Sequence, residues 1–279
     1  MTLIASWLNL ENKTHPTIWT AADSQISDGK DTLTLEGSKV LELPIRVRDL
    51  TTPIQEVYFK SSFGFAYAGS SFTAFNTYST LSVILDNLGR SKVEGILPSH
   101  DSILSKCKDI LKHYTIEKSR LAEVSIWGFC PVSKEPFIGV IKQNEFINDY
   151  DITIQHGSTT NLKWFLLGNS DAKKKFEELI LKRLEQFENS FNSDYWRSPF
   201  YPLREIIESK RFGGVGGNIQ LSMSTLYSFG HYSVIAPIDE SKKSWTLKFR
   251  NFDVREDFGW YVGDCLISIN GMAMDYPYS

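Results

Sequence analysis

The apolar positions fall into two textures along the chain, short runs bounded by turn residues and longer stretches with a helical repeat. Residues 3–10 and 17–22 are short apolar runs around a polar loop containing Pro16, which predicts a hairpin. The turn-rich stretch Ser27-Asp28-Gly29-Lys30-Asp31 follows. Residues 39–43 predict a strand ended by Pro44, and residues 57–60 and 63–68 a second hairpin over Ser61-Ser62. Over 71–88 the period changes, with Phe72, Phe75, Leu81, Ile84, Leu85 and Leu88 at helical spacing; residues 100–118 do the same through Ile103, Leu104, Cys107, Ile110 and Leu111. Strands are predicted again over 124–130, 136–141, 152–155 and 164–167. Two more helices follow. Residues 171–191 carry Phe176, Leu179, Ile180, Leu184 and Phe187 on one face, and residues 202–209 begin on Pro202, which suits a first turn. The stretches 218–226, 232–236, 245–249 and 260–269 are strand-like.

Helices bunched in pairs between blocks of hairpins do not fit a doubly wound βαβ alternation. The order predicts an α+β fold, a four-layer αββα sandwich of two antiparallel sheets flanked by helix pairs. No linker or composition break interrupts residues 1–279, so a single domain is expected.

The composition, 42% hydrophobic and 23% charged, is ordinary for a globular chain. A net charge of −3 argues against a dedicated nucleic-acid partner. The longest apolar runs are under about ten residues, short of a bilayer span, and the N-terminus has no signal-peptide pattern. Cys107, Cys130 and Cys265 show neither metal-ligand spacing nor a disulfide framework, and a reducing cytoplasm is the simplest location. The histidines at 15, 100, 113, 156 and 231 have no metal spacing, and no cofactor is expected. Lys173-Lys174-Lys175 reads as a solvated helix face, and the aromatic stretch 275–279 as a tail.

The candidate chemistry begins at Thr2. Aminopeptidases remove an initiator Met before a small residue, which would leave a free α-amine beside a Thr hydroxyl. A Thr Oγ is a weak nucleophile, and a free N-terminal amine of pKa about 7.7–8.0 can serve as its general base. Three further segments accompany Thr2: Ala21-Ala22-Asp23-Ser24 at a strand end, Lys39 sixteen residues after Asp23, and Ala66-Tyr67-Ala68-Gly69-Ser70-Ser71 before the first helix. Read singly, Asp23 and Ser24 are also turn formers, Lys39 a solvated strand residue, and Ser70 or Ser71 a helix N-cap.

In this order the segments resemble the proteasome β-subunit-like family of N-terminal-nucleophile (Ntn) hydrolases, including its simpler bacterial relatives. At motif level the resemblance is specific over residues 2–71, with insertions at 11–16 and 44–53. It implies a threonine-type peptidase. Thr2 would be the nucleophile, Lys39 would favour loss of its proton, Asp23 would pair with Lys39, and the Gly69 N–H would hold the oxyanion. By the same resemblance Ser27 and Gly69 would pair with an extended peptide, and Tyr67 would line the pocket for the side chain before the scissile bond. Asn169 or Ser170, in Gly168-Asn169-Ser170, would support the amine, and Ser170 equally suits a helix N-cap. The implied partners are a peptide or protein substrate and further copies in a homo-oligomer, a ring among the options, with no ATPase identified.

The pattern departs from the family at Lys210-Arg211-Phe212-Gly213-Gly214-Val215-Gly216-Gly217, where no acidic residue or Ser precedes the glycines. Nor does this loop match a phosphate loop, because Asn-Ile-Gln follows where Gly-Lys-Ser/Thr is needed. Two alternatives therefore stand beside the peptidase: a catalytically silent scaffold or sensor subunit, and a small-molecule Ntn amidase.

Overall fold

The computed structural model describes residues 2–28, 31–90, 97–118, 120–144, 149–157, 161–187, 193–239, 244–250, 252–254, 256–272 and 274. The predicted tail at 275–279 and Met1 lie outside the described residues. In chain order the elements are β1 (Leu3–Asn9), β2 (Thr17–Asp23), β3 (Ile26–Asp28), β4 (Asp31–Thr34), β5 (Val40–Asp49), β6 (Val57–Gly69), α1 (Ser71–Asp86), β7 (Leu88–Arg90) and α2 (His100–Lys118). There follow β8 (Ala122–Phe129), β9 (Pro136–Gln143), β10 (Tyr150–His156), β11 (Trp164–Gly168), α3 (Ser170–Leu184), α4 (Ser193–Arg197) and α5 (Phe200–Ser209). The chain closes with β12 (Ile219–Ser224), β13 (Phe229–Asp239), β14 (Ser244–Phe249), β15 (Phe252–Asp253), β16 (Tyr261–Val262), β17 (Cys265–Leu266) and β18 (Asn270–Met272).

The fold is α+β with mostly antiparallel pairing. One eight-stranded sheet has the order β11-β1-β2-β12-β13-β14-β15, with β18 added beside β13; a six-stranded sheet has the order β10-β9-β8-β6-β5-β7. Strand alternation assigns the faces. In β1 and β2, Leu3, Ala5, Trp7, Trp19 and Ala21 pack with Phe176 and Ile180 of α3 and Leu203 and Ile206 of α5. In β6 and β8, Phe63, Phe65, Tyr67, Val124 and Ile126 pack with Leu81 of α1 and Leu104 and Leu111 of α2. The intervening positions of both sheets, Ile4, Leu8, Ile18 and Ala22 from one and Ala66, Ala68, Trp127 and Val140 from the other, form a third cluster.

Three strand predictions are corrected. β5 runs through Pro44 rather than stopping there, because β7 joins it only over Val47–Asp49 and the edge at Pro44 needs no N–H donor. Residues 57–69 are one strand rather than a hairpin over Ser61-Ser62, since both serines pair straight across with Ile45 and Pro44 of β5. The predicted strand over 260–269 is broken by Gly263 at φ +59° between β16 and β17. The helix predicted to 191 ends at Leu184, and residues 188–192 lie outside the described ones.

The cluster shared by the sheets is tightest at Gly64, which faces Trp127 in register across β6 and β8. A Cβ at Gly64 would fall on the indole of this fully buried tryptophan. Gly64→Ala is expected to lower the unfolding free energy by about 1–3 kcal/mol through overpacking, measured by denaturant titration. An unchanged midpoint would contradict this packing.

Candidate active site

Asp23, the last residue of β2, is fully buried and receives three donors. Its Oδ1 accepts the Leu3 N–H at 2.9 Å; its Oδ2 accepts Lys39 Nζ at 2.8 Å and the Gly216 N–H at 3.2 Å. Lys39, immediately before β5, is 1% exposed. Burial pushes the Asp23 carboxyl up and the Lys39 ammonium down, and their mutual attraction works against both. The surrounding backbone is tied as well. Gln220 of β12 donates to the carbonyls of Asp23 (3.0 Å) and Gly37 (2.8 Å) and accepts the Lys39 N–H at 3.1 Å. The glycine-rich loop has its use here. The Gly216 carbonyl accepts the Ser24 and Gln25 N–H groups at 3.1 and 3.0 Å, and the Asn218 N–H donates to Ser24 Oγ at 2.8 Å.

Thr2 lies one residue before the Leu3 amide that Asp23 holds. Its carbonyl accepts the Asn169 N–H at 2.7 Å. Gly168, at φ +103°, permits this approach, because a Cβ there would fall on the Thr2 carbonyl oxygen. Asn169 is the N-cap of α3, its Oδ1 accepting the Asp171 and Ala172 N–H groups at 2.9 Å each. The capping role expected of Ser170 therefore falls to Asn169, and Ser170 opens the helix.

Thr2, Gly69, Gly168, Asn169 and Ser170 line one cleft of about 420 Å³, together with Ala68, Leu121, Ala122, Glu123 and Gln143. Gly69 closes β6 at φ +93°, and a Cβ on it would stand 2.6 Å from the Leu121 carbonyl oxygen. Ser70 caps α1 through Thr73 N–H at 3.3 Å.

Asp23 and Lys39 lie buried behind the cleft and do not line it, and two further sequence candidates are not brought to it. Tyr67 is 1% exposed, in the cluster under α1 and α2; its hydroxyl donates to the Ser38 carbonyl at 3.0 Å, and burial pushes its pKa up to about 12. Alternation explains it: Tyr67 shares the helix-facing side of β6 with Phe65, while Ala68 faces the other sheet. Ser27 pairs within the β3–β4 hairpin and accepts Gln25 Nε2 at 3.0 Å.

Sequence reasoning missed Glu123. Its Oε2 accepts the Gly168 N–H at 3.1 Å. The available signal was a carboxylate at an inward position of β8, in the series Glu123, Ser125, Trp127. Among the described residues no group of three or more His, Cys, Asp or Glu is placed to hold a metal, and no helix is long and apolar enough to cross a membrane.

The fold and cleft define an α+β protein in which Thr2 lines a cleft and the next amide, of Leu3, is held by a buried Lys–Asp pair. No family model matches the chain, and no curated protein matches it. Among solved structures it is similar to Anbu, an ancestral beta-subunit, from Yersinia bercovieri, at 12% identity and TM-score 0.54, covering 81% of this chain and 82% of that one. It is similar also to Anbu from Hyphomicrobium sp. strain MC1 (13% identity, TM-score 0.51) and to the Gly-1 mutant of that protein (12%, 0.53), each over 82% of both chains.

At such identities the likeness is one of fold alone. It corrects the expectation of membership in the proteasome β-subunit-like Ntn hydrolases. The motif residues carried that expectation, yet neither a family model nor a curated protein supports it, and the structural neighbours are Anbu proteins. The motifs are short, and small residues at strand ends are what closely stacked sheets require of any chain.

The ion pair has a measurable consequence. Lys39→Ala leaves Asp23 buried with its charge uncompensated, and should cost about 3–5 kcal/mol of stability. Adding Asp23→Asn to Lys39→Met should recover part of the loss. Additive losses in that double-mutant cycle would contradict the pairing.

Proposed function

We propose that the chain is an N-terminal threonine hydrolase, a peptidase acting by acyl transfer through Thr2 after removal of Met1. One observation carries the reading. Thr2 lines the cleft with its carbonyl fixed on the N-cap of α3, and the next amide is fixed on the carboxylate that holds Lys39.

In this reading Thr2 Oγ attacks the scissile carbonyl carbon and the Thr2 amine takes the hydroxyl proton. The Gly69 N–H holds the oxyanion, and the charge of Lys39, kept by Asp23, favours the alkoxide. The new ammonium returns its proton to the leaving amine as the peptide bond breaks. Water then attacks the ester, the amine takes its proton, and the acid leaves with Thr2 restored. Asn169 fixes Thr2 through its N–H on the Thr2 carbonyl, and Ser170, the first residue of α3, orients the amine. The same reading takes residues 1–279 as one cytoplasmic domain, layered αββα on the strength of the three packing clusters, and assembled with further copies of itself.

A second reading, a catalytically silent subunit, draws on burial at the site, where Thr2 is 4% and Lys39 1% exposed. Turnover separates the two. Thr2→Ala should lower hydrolysis of fluorogenic peptides by at least about 10³-fold, with an unchanged unfolding midpoint. Hydrolysis at the wild-type rate in Thr2→Ala would overturn the peptidase.

A further inference from the structure

Using the Thr2 amine as a base creates an ammonium in a largely buried position, and such a charge is unfavourable without a counter-charge. Asp23 does not supply it, since its oxygens are taken by Leu3, Lys39 and Gly216. Among the described residues lining the cleft, Glu123 is the one carboxylate. It stands one hydrogen bond from the turn that clamps Thr2: its Oε2 accepts the Gly168 N–H at 3.1 Å, and Gly168 lies directly against the Thr2 carbonyl.

We propose that Glu123 is the counter-ion of the Thr2 α-ammonium formed during acyl transfer. The inference rests on the Thr2 reading above. Glu123 moves no proton itself. It lowers the energy of the ammonium both in the resting protonated enzyme and in the transition state, in which the amine has taken the Oγ proton.

The other charges facing this place are accounted for. Lys142 of β9 is the cation that faces Glu123: its Nζ donates to the Leu166 carbonyl at 2.9 Å, burial pushes its ammonium down, Glu123 opposes that shift, and Lys173 of α3 adds to it. Asp171, in the first turn of α3, is exposed, and the first turn of α1 has no acidic residue. Lys39 is engaged by Asp23.

The sign of the effect is specific. The rate rises with pH as the amine loses its resting proton, so the acid limb of kcat/KM reports the amine. A nearby carboxylate favours the ammonium and moves that limb to higher pH. Below the limb, the counter-ion stabilises resting and transition states alike and cancels. Above the limb, it stabilises the transition state alone.

The test is the pH profile of peptide hydrolysis by wild type, Glu123→Gln and Glu123→Asp. Gln keeps an acceptor for the Gly168 N–H. We expect its plateau to fall about tenfold and its acid limb to move down by about one pH unit, with the rates below the limb superimposed on wild type. Asp, which keeps the charge, should restore both in part. A uniform loss at every pH, or an unchanged profile, would reduce Glu123 to a holder of the turn and overturn the inference while leaving Thr2 as nucleophile. Hydrolysis that survives in Thr2→Ala, or is absent from wild type with Met1 removed, would remove the Thr2 reading and this inference with it.

Discussion

The carboxylate of Asp23 joins parts of the chain that are far apart in sequence, and the geometry around Thr2 depends on it. One oxygen fixes the start of β1 through the Leu3 amide; the other gathers Lys39 from before β5 and Gly216 from the loop before β12. A carboxylate and an ammonium this deeply buried are unfavourable singly. Their pairing, with two amides on the carboxylate and Gln220 bracing the backbones of both residues, makes the arrangement self-consistent. Loss of any strand of this knot would loosen the first residues of β1, where the proposed nucleophile stands.

Backbone approach is the second constraint. Gly168 and Gly69 both adopt positive φ and both sit where a Cβ would strike a carbonyl oxygen, of Thr2 and Leu121 respectively. Gly217, at φ +76°, is similarly crowded by Ser24 and Leu35. These contacts bring the ends of β6 and β11 and the glycine-rich loop to the same end of the stacked sheets. The cleft is the space left where β6, β9 and β11 end and β8 begins.

Much of this was legible in the sequence because it rests on local patterns. The helical period found α1 and α2 to within a few residues, whereas the pairing of Asp23 with Lys39 entered only through the resemblance, since Lys39 read singly passes for a solvated strand residue. What escaped depends on partners distant in the chain. The continuity of β6 through Ser61-Ser62 comes from β5, not from the serines. Tyr67 belongs to the helix-packed face because of a one-residue parity that an apolar run does not reveal. The glycine-rich loop resembled a departure from a motif, and its role as a donor to Asp23 required the fold. Glu123 was hidden because no spacing rule links β8 to the turn after β11. The family resemblance itself was over-read from short segments, and the comparisons leave the fold as the common ground.

The central claim is that Thr2 carries a free amine and a competent hydroxyl in one cleft. An epoxyketone warhead needs both, forming one ring with them. The most direct measurement is therefore the intact mass of protein expressed with its native start, after incubation with a peptide epoxyketone. The account predicts loss of Met1 and addition of a single inhibitor, absent in Thr2→Ala. Met1 retained on the assembled protein, or an adduct of equal yield in Thr2→Ala, would contradict it.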